Sequence, residues 1–189
     1  MANRDTPNGF RPAKGGKSHI VVRFPVLSSN GTAIFVGDVI DLLSTGGVGP
    51  AAADAGVSVA GVCVGLYDSD KNPVGSPNSS QSTKYLPAST AGFCDVALAI
   101  SGALFIGQAQ TGQTPAAADL GATTDHVAGT GDTTTSQSRH ELNFSDLNTG
   151  IQFRIVGLVD NPNNAVGEHA DYYVTFNESA FCGSSEAGV

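Results

Sequence analysis

Apolar residues along this chain fall in short blocks separated by polar, Gly- and Pro-rich stretches, and no block keeps a helical period over ten or more residues. Residues 19–27 (HIVVRFPVL) form a β-branched run whose Pro25 predicts an edge strand or a bend. After a Ser-Ser-Asn-Gly turn signal, residues 32–36 and 38–43 read as strands. Residues 44–56 read as loop, with room for one helical turn begun at Pro50. Residues 57–67 (VSVAGVCVGLY) alternate apolar and small side chains, and 68–78 are turn-rich. Residues 83–86, 93–100 and 104–108 read as further strands, and 110–136 as a Gly/Thr/Ala/Asp loop or a weakly structured excursion. Two strands, 151–159 and 172–176, are predicted near the C-terminus, with Asp-Asn-Pro-Asn-Asn between them. The pattern predicts a mainly β fold of about eight to ten short strands, a barrel or sandwich with long loops.

Charge divides the chain. Five of its nine Lys/Arg lie in the first 23 residues against one acid, leaving a formal −12 on the remainder. Residues 1–18 are cationic, rich in Gly, Pro, Asn and Ser, and too poor in apolar surface to fold alone. They read as an extended basic arm on an acidic β-rich body (19–181), with a disordered tail at 182–189. Such an arm predicts attachment to a partner, and the acidic body argues against nucleic-acid binding. Deleting residues 2–17 is accordingly expected to leave a folded body that has lost its partner.

At 189 residues and 40% hydrophobic content the chain can bury a core without metals or disulfides. Cys63, Cys94 and Cys182 are odd in number and lack a C-x-x-C spacing, which predicts free thiols, a single bridge being the alternative. The first 19 residues have no apolar h-region, and the apolar stretch 96–106 is broken by Ser101 and Gly102. Neither a secretory leader nor a membrane span is predicted.

Chemical motifs stop short of completion. Gly15-Gly16-Lys17-Ser18 has Arg11 where a phosphate loop needs its first Gly, and it precedes a strand. Asp68-x-Asp70-x-Asn72 starts like a calcium loop, but Pro73 replaces the turn Gly and Ser79 the terminal acid. His140-Glu141 meets Phe144 where a zinc protease has its second His, and no G-x-S-x-G occurs. His19, His126, His140 and His169 show no ligand spacing. The residues predict no enzyme, no cofactor and no metal centre.

Several segments, in order, resemble the small capsid decoration (cement) proteins of tailed bacteriophages. Asn8-Gly9-Phe10-Arg11-Pro12 looks like their N-G-F-x-P opening. Gly37-Asp38-Val39-Ile40 with Val59-Ala60-Gly61-Val62 and Gly65 is similar to their G-D and G-V strand pair. Lys84-Tyr85-Leu86-Pro87-Ala88 looks like their Y-L-P segment, and the strand after it ends near Phe105 and Gln108. Asp119-Leu120-Gly121 and Val127-Ala128-Gly129-Thr130-Gly131, with Ser138 and Leu142, resemble their D-x-G, G-x-G and S-x-x-x-L stretch. Val156-Gly157-Leu158-Val159-Asp160-Asn161-Pro162 and Tyr173-Val174-Thr175-Phe176-Asn177-Glu178 are similar to their closing strand pair.

The resemblance implies a virion structural protein, made in the host cytoplasm, that binds the outer surface of a head and stabilises contacts between major capsid subunits. It implies a homotrimer touching neighbouring copies of itself, with Arg4, Asn8, Phe10, Arg11, Pro12, Lys14 and Lys17 as the capsid-binding arm. The alternative is a carbohydrate- or receptor-binding β-module on a virion surface, against which stands the lack of Trp and the count of four Tyr.

Overall fold

The computed structural model describes residues 3–16, 18–53 and 59–181. Among them the chain order runs β1 (Arg11–Pro12), β2 (Val21–Val26), β3 (Val39–Leu43), β4 (Gly47–Pro50), β5 (Val59–Asp68) and β6 (Gly92–Leu98). It continues with β7 (Phe105–Gln108), β8 (Thr123–Thr124), β9 (His126–Asp132), β10 (Gln137–Leu142), β11 (Phe153–Leu158) and β12 (Asp171–Phe176). Two five-stranded antiparallel sheets, β2-β6-β5-β3-β4 and β1-β7-β12-β11-β8, stand with a β9–β10 hairpin. The fold is mainly β and sandwich-like. Its sheets stay open, which decides the predicted choice against a closed barrel.

The central strand β5 of the β2–β6 sheet is apolar on both faces, which is why it alternates apolar with small residues rather than apolar with charged. Val39, Val59, Val62, Ala97 and Ala99 face one core, shared with Phe105, Phe153, Ile155, Tyr172 and Val174 of the other sheet. Their neighbours Ile40, Ala60, Cys63, Val96 and Leu98 face a second core, closed by Val26, Ile34, Val48 and Leu86. The period of two thus sends alternate side chains into two different interiors. The outer edges of this sheet curl together: a Cβ on Gly47 of β4 would sit 3.0 Å from the carbonyl of Pro25, near the end of β2. Cys63 and Cys94 are free thiols inside the second core, as predicted, and Cys182 lies outside the described residues.

The structure corrects four local readings. Residues 47–50 form β4, where a loop or helical turn was expected, because Gly47, Val48 and Gly49 pair with Leu43, Leu42 and Asp41. Residues 32–36 and 83–86 contribute only isolated bridges, such as Ile34 to Leu86. The stretch 110–136 is not a loose excursion, since it holds β8 and most of a hairpin. Asp132 builds that hairpin's turn: its carboxylate accepts the Thr134 and Thr135 N–H groups and pairs with Arg139 at 3.1 Å.

The fourth correction concerns the leader, which lies on its own body rather than reaching out. Asn3 donates to the Ala165 and Glu168 carbonyls, the Gln108 side chain bridges Thr6 and Arg4, and β1 pairs with β7. Too apolar-poor to fold alone, the leader is ordered here by main-chain pairing and by one large apolar side chain, Phe10. The Asn8–Pro12 and Gly37–Ile40 segments meet where the Phe10 N–H donates to the Gly37 carbonyl at 2.8 Å. Gly9 has φ +66° and Gly37 φ +99°. A Cβ on Gly37 would lie 2.5 Å from the Asn8 carbonyl oxygen. Gly37→Ala is therefore expected to cost more than ~1 kcal/mol in urea denaturation. Gly31→Ala, where a Cβ meets nothing within 4 Å, is expected to be near neutral.

Candidate docking edge and buried Asp–His pair

The seven predicted contact residues fall into distinct environments. Phe10 is 1% exposed and stacks on Phe153, ring centroids 4.7 Å apart, so it is a core residue and not an anchor for a neighbour. Arg11 is exposed, but its guanidinium meets Asp171 at 2.7 Å within the same subunit. Pro12 is half-buried in β1, while Arg4, Asn8 and Lys14 are exposed. Lys17 lies outside the described residues. Arg4, Asn8 and Lys14 are thus exposed alongside Arg11, whose guanidinium is held by Asp171.

The more conspicuous surface is the edge strand β2. Ile20, Val21 and Val22 are 53%, 51% and 36% exposed. Successive strand residues point to opposite faces, so exposure of both Val21 and Val22 means that this end of β2 projects beyond the layers covering the sheet. The Leu98 N–H donates to the Ile20 carbonyl, and β2 pairs with β6 from Val21–Ala97 to Val26–Gly92. That phase turns the main-chain groups of Ile20, Val22, Phe24 and Val26 toward β6 and those of Val21, Arg23 and Pro25 outward. Pro25 has no N–H to leave unpaired, which explains a proline in this strand. The Arg23 side chain is committed at home. It makes a two-point contact with Asp95 at 2.7 and 2.9 Å, with its guanidinium 3.6 Å above the Tyr67 ring.

A pocket of about 360 Å³, partly open to solvent, lies between β3–β4 and the β9–β10 hairpin, lined by Phe35, Pro50, Ala51, Gly129, Asp38 and His140. Asp38 sits in the turn before β3. Its Oδ2 accepts the Phe35 N–H at 2.8 Å, while Oδ1 has no hydrogen-bond partner and lies 3.6 Å from His140 Nε2. Burial pushes the Asp38 carboxyl up to about 7, although the Ser138 hydroxyl and the Phe35 N–H pull the other way. The Val39 N–H donates to His140 Nδ1 at 3.2 Å, so the neutral ring carries its proton on Nε2, facing Asp38. Burial, and then the neighbouring His126, lower His140 to about 3. His126 stacks on His140, centroids 4.9 Å apart, and its Nδ1 lies 2.6 Å from Gln152 Oε1. Gln152 also accepts the His126 N–H and donates to the Ala52 carbonyl, which fixes its amide orientation.

These residues escape sequence reasoning because Asp38 and His140 are joined only through the pairing of distant strands. Their geometry is structural. One nitrogen of His140 takes a main-chain N–H and the other faces Asp38, which leaves neither to move a substrate's proton. The incomplete calcium motif is likewise structural. Asp68 is fully buried, and its carboxylate accepts from Asp70, Asn72 and Ser80 N–H groups and from the Ser79 hydroxyl. Burial alone would raise its pKa, but these donors outweigh it and hold it down to about 2.

No family model, curated protein or solved structure matches the chain. Among the described residues, no helix is long and apolar enough to cross a membrane.

Proposed function

We propose that this chain is a non-catalytic virion structural protein that decorates the outer face of a tailed-phage head. On this reading it stabilises contacts between major capsid subunits, with copies of itself as neighbours in a trimer. The observation that carries the reading is the projecting apolar edge Ile20–Val22 with outward main-chain groups at Val21 and Arg23. An edge of this kind is suited to accepting a strand from another protein, main-chain bonds supplying affinity and flanking apolar side chains supplying fit. The ordered resemblance of eight sequence segments to decoration proteins supports the same reading. So does the acidic body, whose charge favours solubility before assembly. Attachment then runs through β2, assisted by Arg4 and Lys14, rather than through Phe10.

Co-sedimentation with purified expanded heads, followed by imaging of the outer face, tests this. The intact chain is expected to pellet with heads and to give density on their exterior. Val21→Asp with Val22→Asp is expected to lower binding about tenfold or more, equivalent to about 1.4 kcal/mol or more, with an unchanged melting temperature because both positions are exposed. Undiminished binding by that variant removes the edge from the mechanism, and failure of the folded wild-type chain to bind heads removes the reading itself.

A further inference from the structure

Where the leader crosses β10 and the β11–β12 loop, Asp5, Glu141 and His169 bring one ligand atom each to within 4.8 Å of one another. Two of these side chains are unsatisfied: Glu141 Oε1 and His169 Nδ1 are both shielded from solvent, and neither has a hydrogen-bond partner. His169 Nδ1 is 3.8 Å from Asp5 Oδ1. The other ring nitrogen, Nε2, is 3.6 Å from Glu168 Oε1, and that oxygen also accepts the Gly112 N–H. With its proton on Nε2, facing Glu168, the ring would turn its Nδ1 lone pair toward Asp5 and Glu141, the arrangement of carboxylates behind metal-bound histidines.

Two carboxylates and an imidazole lone pair converging without a hydrogen bond between them make a cluster of acceptors short of positive charge. A divalent cation supplies the missing charge. Asp5 is exposed, so its side chain can swing to close the spacing to the ~2.0–2.2 Å bonds of a zinc site while water completes the coordination. The nitrogen ligand favours Zn²⁺ or a similar transition metal over Ca²⁺ or Mg²⁺, which take oxygen.

We propose that Asp5, Glu141 and His169 form a divalent transition-metal site that pins the N-terminal leader to the body, with Glu168 as the positioning residue for His169. The site is separate from the β2 edge, and its fate does not depend on head binding.

The test titrates Zn²⁺ into the full, chelator-washed chain by calorimetry, with melting temperature and amide exchange of residues 3–8 as second readouts. One Zn²⁺ per chain is expected, with a higher melting temperature and slowed exchange in the leader. Asp5→Asn and His169→Ala are each expected to weaken binding at least tenfold, and Glu168→Gln by about tenfold. Mg²⁺ is expected to give no response. The proposal is overturned if Zn²⁺ does not bind, if it binds equally to Asp5→Asn, or if Mg²⁺ substitutes for it. Should His169→Ala fail to fold, the exposed Asp5→Asn variant decides, since a proton shared between His169 and its acids would leave that variant and the wild type alike without a zinc response.

Discussion

Phe10→Ala is expected to destabilise the protein by about 3–5 kcal/mol, the range for removing a large aromatic side chain from a packed core. The ring is 1% exposed and lies nearly parallel to Phe153, at an interplanar angle of 9°. It also meets His126 edge-on at a centroid distance of 6.4 Å. A Cβ on Gly107 of β7 would come within 2.5 Å of the ring, so the strand needs glycine there to let the leader's only phenylalanine lie against it. Truncation would leave a cavity bounded by two sheets that are pinned elsewhere and cannot collapse into it. Urea denaturation should show a lowered midpoint with an unchanged slope, and a loss below ~1 kcal/mol would mean that the leader is not part of the core. The same geometry makes deletion of residues 2–17 a stability experiment first. Loss of head binding by that truncation would not isolate a contact surface, whereas the Val21/Val22 substitutions can.

This outcome shows where the sequence could be read and where it could not. Strands β5, β6, β11 and β12 were legible because their apolar periodicity is long enough to outweigh local turn chemistry. β2 was legible as an edge through Pro25, whose missing N–H fits the open side. By contrast, β4 (Gly47–Pro50) is built from residues that ordinarily signal turns, and only its partner β3 makes it a strand. β10 alternates faithfully, but its inward residues are Ser138, His140 and Leu142, so an in-out pattern scored on hydrophobicity misses it. Phe10 is a single apolar residue in a polar run, and local composition says nothing about a core assembled by residues far along the chain. The Asp38–His140 contact and the Asp5–Glu141–His169 cluster fail to appear for the same reason: both are products of sheet topology rather than spacing.

The buried Asp38–His140 pair should show itself through opposite pH dependences when its members are removed singly. Asp38 is held up at about 7 from an ordinary 3.8, so its own contribution to stability is full below about 4 and is lost as pH rises toward 7. His140 is held down at about 3 from 6.5, so the unfolded chain binds the extra proton across that window and stability from this group rises with pH. Between about pH 4 and 6.5 the two slopes cancel, because the folded pair and the unfolded pair each hold one proton. An ion pair would hold the same single proton, so the flatness does not depend on which partner carries it.

Burial, not the partner, is the first cause of each shift, and each shift should therefore outlive the partner's removal. Asp38→Asn leaves His140 uncompensated, and its stability should climb with pH by up to about 1.4 kcal/mol per unit relative to wild type. His140→Asn leaves Asp38 uncompensated and should fall with pH at a comparable rate. At the unfavourable end of its window each variant should be about 3–5 kcal/mol below wild type, the cost of stranding one buried charge. Denaturation of the three proteins from pH 4 to 6.5 separates the cases, since carboxylates common to all, Asp68 and Glu141 among them, drop out of the differences. A flat profile for His140→Asn across this range would mean that Asp38 is ionised throughout and that the polar floor of the cavity is held together by something other than a shared proton.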